Sequence, residues 1–293
     1  MLALEPLFSN RRAMVEEYIS HLLLEETIPT HLKEAMRYSL LAGGKRLRPV
    51  LCLSSAQLFG GEEEDILPFA CAIEMVHTYS LIHDDLPCMD DDDLRRGRPS
   101  NHKAFGEATA LLAGDGLLTE AFALMTQTKR KPALVLHAIA VFAKAAGAHG
   151  MVGGQEVDLS FVGKTQVSLD AVKTMHAMKT GAILEASCTT GAILADADTE
   201  SLAAIAQYGR ELGIAFQIVD DILDETADPA VLGKPVHSDR DKNKATYPAL
   251  VGLDTSRRLA KEHADRAKKA LLSFDAGADF LRALATFTVE RVS

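Results

Sequence analysis

Ile73-Glu-Met-Val-His-Thr-Tyr-Ser-Leu-Ile-His83 runs without a break into Asp84-Asp85-Leu-Pro-Cys-Met-Asp90, and the reading of this stretch decides the fold. Its apolar, helix-forming residues predict a core helix that ends in carboxylates. Roughly half the chain later, Leu212-Gly-Ile-Ala-Phe-Gln-Ile-Val219 leads in the same way into Asp220-Asp221-Ile-Leu-Asp224. Carboxylates attached to core helices are costly to bury unless a cation or strong donors sit beside them. Hard divalent ions such as Mg²⁺ take oxygen ligands and are commonly held by a few carboxylates together with substrate phosphates. One such cluster alone reads equally well as a surface calcium loop or a solvated helix end. Two of them, each behind an apolar lead-in, predict a metal-dependent site that processes phosphate groups.

Working outward, apolar positions recur at three- and four-residue steps, as in Met14, Tyr18, His21 and Leu22 or Leu202, Ile205, Tyr208 and Leu212, while alternating strand patterns are nearly absent. This periodicity predicts an all-α fold. Gly43-Gly44, Gly60-Gly61, Gly153-Gly154 and Pro229 read as short turns between helices. No Pro/Ser-rich linker, low-complexity tract or fixed repeat divides the chain, so a single domain over 1–293 with roughly ten helices is expected. The polar, highly charged stretch from Gly233 to Tyr247 follows the second cluster directly and reads as a mobile lid.

The charge balance, 41 acidic against 31 basic residues for a net charge of -10, argues against a nucleic-acid binder, because such proteins gather basic surface. Pro132–Ala143, the longest apolar stretch, falls short of the ~20 residues that span a bilayer and reads as a buried helix, so no membrane insertion is expected. Glu5 and Pro6 interrupt the amino terminus, and no signal peptide is expected. Cys52, Cys71, Cys88 and Cys188 lie in apolar stretches without a C-x-x-C pair, as reduced core residues of a cytoplasmic protein would.

On a helix, residues four apart share a face, so Asp220 and Asp224 are expected to project together with Asp221 beside them. Pro87 ends the first helix, leaving Asp84 and Asp85 on it and Asp90 reaching back from a terminal turn. Positive charge comes in packets: Lys45-Arg46-Leu-Arg48, Arg95-Arg96-Gly-Arg98, Lys179, Lys234 and Lys244. Arginine grips phosphate with a fork and lysine with a mobile point charge, so the packets predict two anionic groups beside the metal. A Lys/Arg run by itself is more often a solvated face.

Gly44-Lys45-Arg46-Leu47-Arg48-Pro49, the stretch from Leu81 through Asp84-Asp85 and Asp90 to Arg95-Arg96-Gly97, and Phe216-Gln217 followed by Asp220-Asp221 and Asp224 together resemble the head-to-tail trans-prenyltransferases, the short-chain polyprenyl diphosphate synthases. The likeness covers nearly the whole chain and includes Gly153-Gly-Gln155-Glu-Val-Asp158, Lys179-Thr180-Gly181 and Lys244-Ala-Thr-Tyr-Pro248. It implies a large helical bundle of the isoprenoid synthase type with a central cavity, small-molecule diphosphate substrates and a homodimer. It also implies three Mg²⁺ ions held by Asp84, Asp90 and Asp220, with Asp85, Asp221 and Asp224 as weaker or water-mediated ligands. By the same likeness Arg95, Lys179, Lys234 and Lys244 grip the allylic diphosphate, while Lys45, Arg48, His77 and Arg96 hold isopentenyl diphosphate. Thr180 and Gln217 line the developing cation with hydroxyl and carbonyl dipoles.

Tyr79, five residues before Asp84, matches the bulky aromatic of bacterial farnesyl diphosphate synthases, as does the Pro87-Cys88 insertion; it implies a floor for a C15 chain, with the small Ser80 beside it. The plain alternative for Tyr79 is a core aromatic, and a satisfied core residue is the reading for His83. Asn243 stands where the family usually has glycine, and the carboxy-terminal Glu290-Arg291-Val-Ser293 is less basic than in relatives. The competing readings are geranylgeranyl or geranyl diphosphate synthesis, a non-catalytic regulatory subunit, which would tolerate broken aspartate motifs, and a terpene cyclase, which would not need Lys45 and Arg48.

Overall fold

In the computed structural model, residues 4–164, 167–226, 245–290 and 292 are described. The helices are α1 (Leu4–Ser20), α2 (Thr30–Leu40), α3 (Leu47–Gln57), α4 (Glu63–Asp84), α5 (Asn101–Phe105), α6 (Glu107–Met125), α7 (Pro132–Ala146), α8 (Met151–Phe161), α9 (Leu169–His176), α10 (Ala182–Leu194), α11 (Thr199–Thr226), α12 (Tyr247–Val251), α13 (Leu253–Ala270) and α14 (Asp279–Glu290). A π-helical turn, Ala177–Gly181, joins α9 to α10. Among the described residues the only strands are β1 (Leu94–Arg95) and β2 (Arg98–Pro99), an antiparallel pair in which Leu94 faces Pro99 and Arg95 faces Arg98. The all-α expectation is therefore met.

Helix α4 is the axis of the bundle. It is apolar nearly all round, with Ile66, Phe69, Ala70, Cys71, Ala72, Ile73 and Val76 fully buried, and a helix of that kind belongs in the interior. It packs against α3, α6 and α10. Helix α11 instead has one apolar face, Ile205, Tyr208, Leu212, Ala215 and Ile218, pressed against α10 and α13. Both helices reach the cavity with their carboxy-terminal turns, which is where the sequence puts the aspartates.

Several expectations are corrected. Gly153-Gly154 is not a turn but lies inside α8. A Cβ on Gly154 would sit 2.2 Å from the Lys179 backbone nitrogen, so glycine is needed there for α8 to lie flush on the π-turn. Helix α7 is only half buried: Val135, Ala138, Phe142 and Ala146 face inward, while Leu136 is 69% exposed. By length and composition three segments could cross a membrane, α4, α6 and Pro132–Phe161, the last broken into α7 and α8. The apolar residues of α4 are used up in the core. Cys52, Cys71 and Cys188 are buried free thiols, but Cys88 is exposed because it sits in the loop that Pro87 opens after α4. Pro229, Asn243, Lys234, Lys244 and most of the Gly233–Tyr247 lid lie outside the described residues.

Candidate active site

The end of α4 supplies the first half of the site. Asp84 is the last helical residue, Asp85 caps the helix, and the Asp90 backbone nitrogen donates to the Asp84 carbonyl at 2.8 Å, so the loop folds back as Pro87 predicts. Asp84 faces a cavity of about 380 Å³ lined also by Arg48, His77, Tyr79, Ser80, Lys179 and Thr180. Burial raises its carboxyl to about 6; the Lys179 ammonium opposes this rise and neighbouring Asp90 adds to it. Asp85 turns the other way: it is 2% exposed and accepts two hydrogen bonds from Arg95 Nε, at 2.9 and 3.2 Å, with Arg95 Nη2 closing the fork. Arg95 is thereby held beside the cluster before any substrate arrives.

Arg96 and Gly97, both at positive φ (54° and 73°), form the two-residue turn between β1 and β2, the backbone that a tight hairpin requires. This turn sends Arg96 away from Arg95, toward the Gly43-Gly44 loop, where Nη1 donates to the Gly43 carbonyl. That loop is clamped by Arg46, which adopts φ 51°. Its buried guanidinium donates to Glu74 on α4, Glu16 on α1 and the Leu40 carbonyl, each at 2.8 Å. Lys45 is exposed on one side of the clamp, beside Phe216 and Phe287. Arg48 enters the main cavity on the other, with its Nε buried and unpartnered. Burial, and then the guanidiniums of Arg48 and Arg96, push His77 well below its ordinary value, so it sits there as a neutral imidazole.

The second half comes from α8, the π-turn, α11 and α12. A smaller cavity of about 170 Å³, lined by Asp158, His176, Lys179, Thr180, Gln217, Asp220, Asp221 and Thr246, shares Lys179 and Thr180 with the first. The π-turn swells the helix at these two residues, and such bulges recur at functional sites. Lys179 Nζ meets Asp158 Oδ2 at 2.6 Å. Asp220 lines the cavity, whereas Asp221 and Asp224 are 4% and 3% exposed and Asp224 is not among the lining residues. Among the described residues the two joined cavities are faced by carboxylate oxygens and by the imidazoles of His77, His83 and His176, with no thiolate, and the carboxylates suit a hard ion such as Mg²⁺. Burial has already driven up the cost of charge on Asp84, and a cation would relieve it. A separate acidic group, Asp91, Asp93 and His102, has ligand atoms within 4.8 Å of one another, but Lys103 Nζ already pairs with Asp93 at 2.8 Å.

Tyr79 and Ser80 line the main cavity one turn below Asp84, as expected. Tyr79 is 7% exposed and packs edge-on against His83, ring centroids 5.6 Å apart. His83 Nε2 lies 3.0 Å from the Leu111 carbonyl, a satisfied side chain, though it also borders the cavity. Sequence reasoning gave no role to Asp158, Gln155, His176 or Tyr247. Gln155 Oε1 and His176 Nδ1 are buried without partners, and His176 stacks on Tyr247 with centroids 5.7 Å apart. Gln155 and Asp158 were visible as motif residues, but the pairing of Asp158 with Lys179 is long-range. Nothing in the local pattern of His176 marks it.

An all-α bundle that turns aspartates from two helices, together with arginine and lysine, onto two joined cavities is the isoprenoid synthase architecture. The chain belongs to the Polyprenyl synthetase family, whose model matches residues 29–273. It is 47% identical to the farnesyl diphosphate synthase of Geobacillus stearothermophilus over 94% of this chain and 93% of that one. With the geranylgeranyl diphosphate synthase of Cyanophora paradoxa it shares 44% identity over 98% and 99%. A solved structure of a geranyltransferase from Helicobacter pylori, complexed with magnesium and isoprenyl diphosphate, superposes with a TM-score of 0.87 at 29% identity, covering 100% of this chain and 98% of that one. The protein is an enzyme, a prenyltransferase.

Proposed function

We propose that the chain, working as a single domain over 1–293, condenses isopentenyl diphosphate head-to-tail with dimethylallyl and then geranyl diphosphate, giving farnesyl diphosphate and pyrophosphate. The observation that carries this reading is the main cavity, lined by Asp84 and Lys179 together with Tyr79 and Ser80, which stand one helical turn before Asp84 on α4. Asp84, Asp90 and Asp220 would hold Mg²⁺, three ions in all, which neutralises charge on the diphosphate leaving group. Lys179 exchanges Asp158 for the allylic diphosphate, and Arg95 approaches it from the Asp85 fork. Lys234 and Lys244, outside the described residues, are assigned to the same group by family likeness alone. Arg48, Lys45, Arg96 and neutral His77 receive the second diphosphate, which is not cleaved. Thr180 and Gln217 face the allylic carbon as its C–O bond breaks. The double bond of isopentenyl diphosphate then attacks the cation, and a proton is lost to complete the step.

Tyr79 forms the floor that stops growth at C15. The exposed Leu111 and Leu112 of α6 and Leu136 of α7 support a homodimer, and the reduced cysteines support a cytoplasmic location. Purified protein incubated with Mg²⁺, isopentenyl diphosphate and each of dimethylallyl, geranyl and farnesyl diphosphate is expected to accumulate farnesol after dephosphorylation. Geranylgeraniol instead would favour the activity named for the Cyanophora relative, and no condensation would sink the enzyme reading. Tyr79→Ala is expected to shift products beyond C15 on the same chromatogram; unchanged length would remove the floor assignment.

A further inference from the structure

The second aspartate pair divides its labour in a way that no motif reading shows. Gln217 Nε2 donates to Asp221 Oδ1 at 2.9 Å, one helical turn on, and the Tyr247 backbone nitrogen donates to Asp221 Oδ2 at 3.0 Å. Asp221 is buried, and Tyr247 opens α12 at 1% exposure. Asp220, its neighbour in sequence, lines the cavity along with Gln217, Lys179 and Thr180. Consecutive residues of a helix point about 100° apart; both aspartates border the cavity, but the oxygens of Asp221 are engaged by Gln217 and by the start of α12.

A carboxylate only accepts hydrogen bonds. Whatever the assignment of the two ends of the Gln217 amide, the end that meets Asp221 must be the NH₂ group. The carbonyl Oε1 is then the end left for the cavity, and a carbonyl oxygen is the end with negative partial charge. We propose that Asp221 is a positioning residue, which fixes the Gln217 amide with its oxygen toward the allylic carbon and acts on the reaction through that amide rather than as a metal ligand. This role rests on the prenyl-transfer reading above. The Tyr247 bond makes the setting rigid, since it occupies the other carboxylate oxygen and ties the segment after the lid stretch to α11.

Asp221→Asn tests it because the shape is kept while one acceptor becomes a donor. The Tyr247 N–H retains the side-chain oxygen, so the new NH₂ faces Gln217, which must turn its own oxygen to meet it. Its NH₂ then points at the developing cation. The single-turnover condensation rate is expected to fall about 10²-fold, the scale for one misdirected dipole in an active site. KM for both diphosphates and the Mg²⁺ half-saturation are expected to stay within about twofold, the pattern of an interaction made only in the transition state.

Gln217→Leu is expected to lose rate comparably, and the double variant to be no slower than Gln217→Leu alone, the non-additivity of a shared pathway. Multiplying losses, an unchanged rate in Asp221→Asn, or a rate restored by excess Mg²⁺ would each overturn the role. Gln217→Leu keeps the Asp221–Tyr247 bond and carries the test if Asp221→Asn does not fold: an unchanged rate there overturns it as well. Absent wild-type condensation in the same assay would overturn the functional reading and this role with it. Normal wild-type turnover with unaffected variants overturns the role alone.

Discussion

Helix α4 and helix α11 both end in adjacent aspartates, and at both ends the second aspartate is buried and turned back onto protein donors, though Asp221 still borders the smaller cavity beside Asp220. The partners of the turned-back residue differ. Asp85 holds a guanidinium, Arg95, across the β1–β2 hairpin; Asp221 holds a neutral amide, Gln217, on its own helix and a backbone N–H from α12. The α4 half therefore holds a cation beside its cavity-lining aspartate, and the α11 half holds an amide beside its own. The aromatic–histidine pairs differ in parallel. Tyr79 and His83 meet edge-on at the cavity wall, whereas His176 and Tyr247 stack in a buried setting. Two similar strings of sequence thus make one side of the site electrostatic and the other geometric, because different tertiary neighbours meet them.

The largest effect should come from the residues that make the halves alike. Asp84→Asn and Asp220→Asn are each expected to lower the condensation rate by about 10³-fold with a raised Mg²⁺ requirement. A large loss in only one of them would break the equivalence of the two halves. Next comes the pH response of His176, in the α11 half. Burial lowers His176 from 6.5 to about 4, with Asp158 opposing the fall and Lys179 adding to it. The unfolded chain then binds the proton more readily than the folded one between these values, so stability is intact above about 6.5 and drains away as pH falls toward 4. As pH falls through that window the His176 contribution is expected to shrink by about 3 kcal/mol while Asp84, whose folded carboxyl is raised, contributes in the opposite direction, so the effect is read as the difference between denaturant titrations of the metal-free wild type and His176→Phe, which should lack the loss. A profile unchanged by His176→Phe would assign the acid response elsewhere. The smallest effect concerns Lys179, which serves both halves. Gly154→Ala is expected to cost about 2 kcal/mol by overpacking the π-turn, measured as a lowered denaturation midpoint; a neutral result would mean that α8 can back away from the turn.

Much of the site could be read in advance because its chemistry is local. Asp84, Asp220, Lys179 and Thr180 announce themselves by residue type at the end of apolar helices or in short motifs, and each lines one of the two joined cavities. The face of α11 carrying Ile205, Tyr208 and Leu212 followed from periodicity, but that of α1 did not. There the buried positions are Arg11, Val15 and Ile19 rather than the Met14, Tyr18 and Leu22 series. Arg11 escaped notice because its burial depends on Glu63 and Gln57, both far along the chain. Gly153-Gly154 misled for a related reason: glycine signals a turn locally, but here it answers a helix that approaches from elsewhere.

By itself the sequence determined the all-α class and the two acidic helix ends on which the hard-ion reading rests, since helical periodicity, charge and ligand type are properties of residues and their immediate neighbours. Only the tertiary structure decided that Asp84 and not Asp85 lines the main cavity, that Asp85 aims Arg95 and Asp221 holds Gln217, and that Gly154 seats the π-turn under Lys179. Those outcomes depend on contacts between segments distant in the chain or on which side of a helix a neighbour packs. A carboxylate's role is set by the donor that reaches it first.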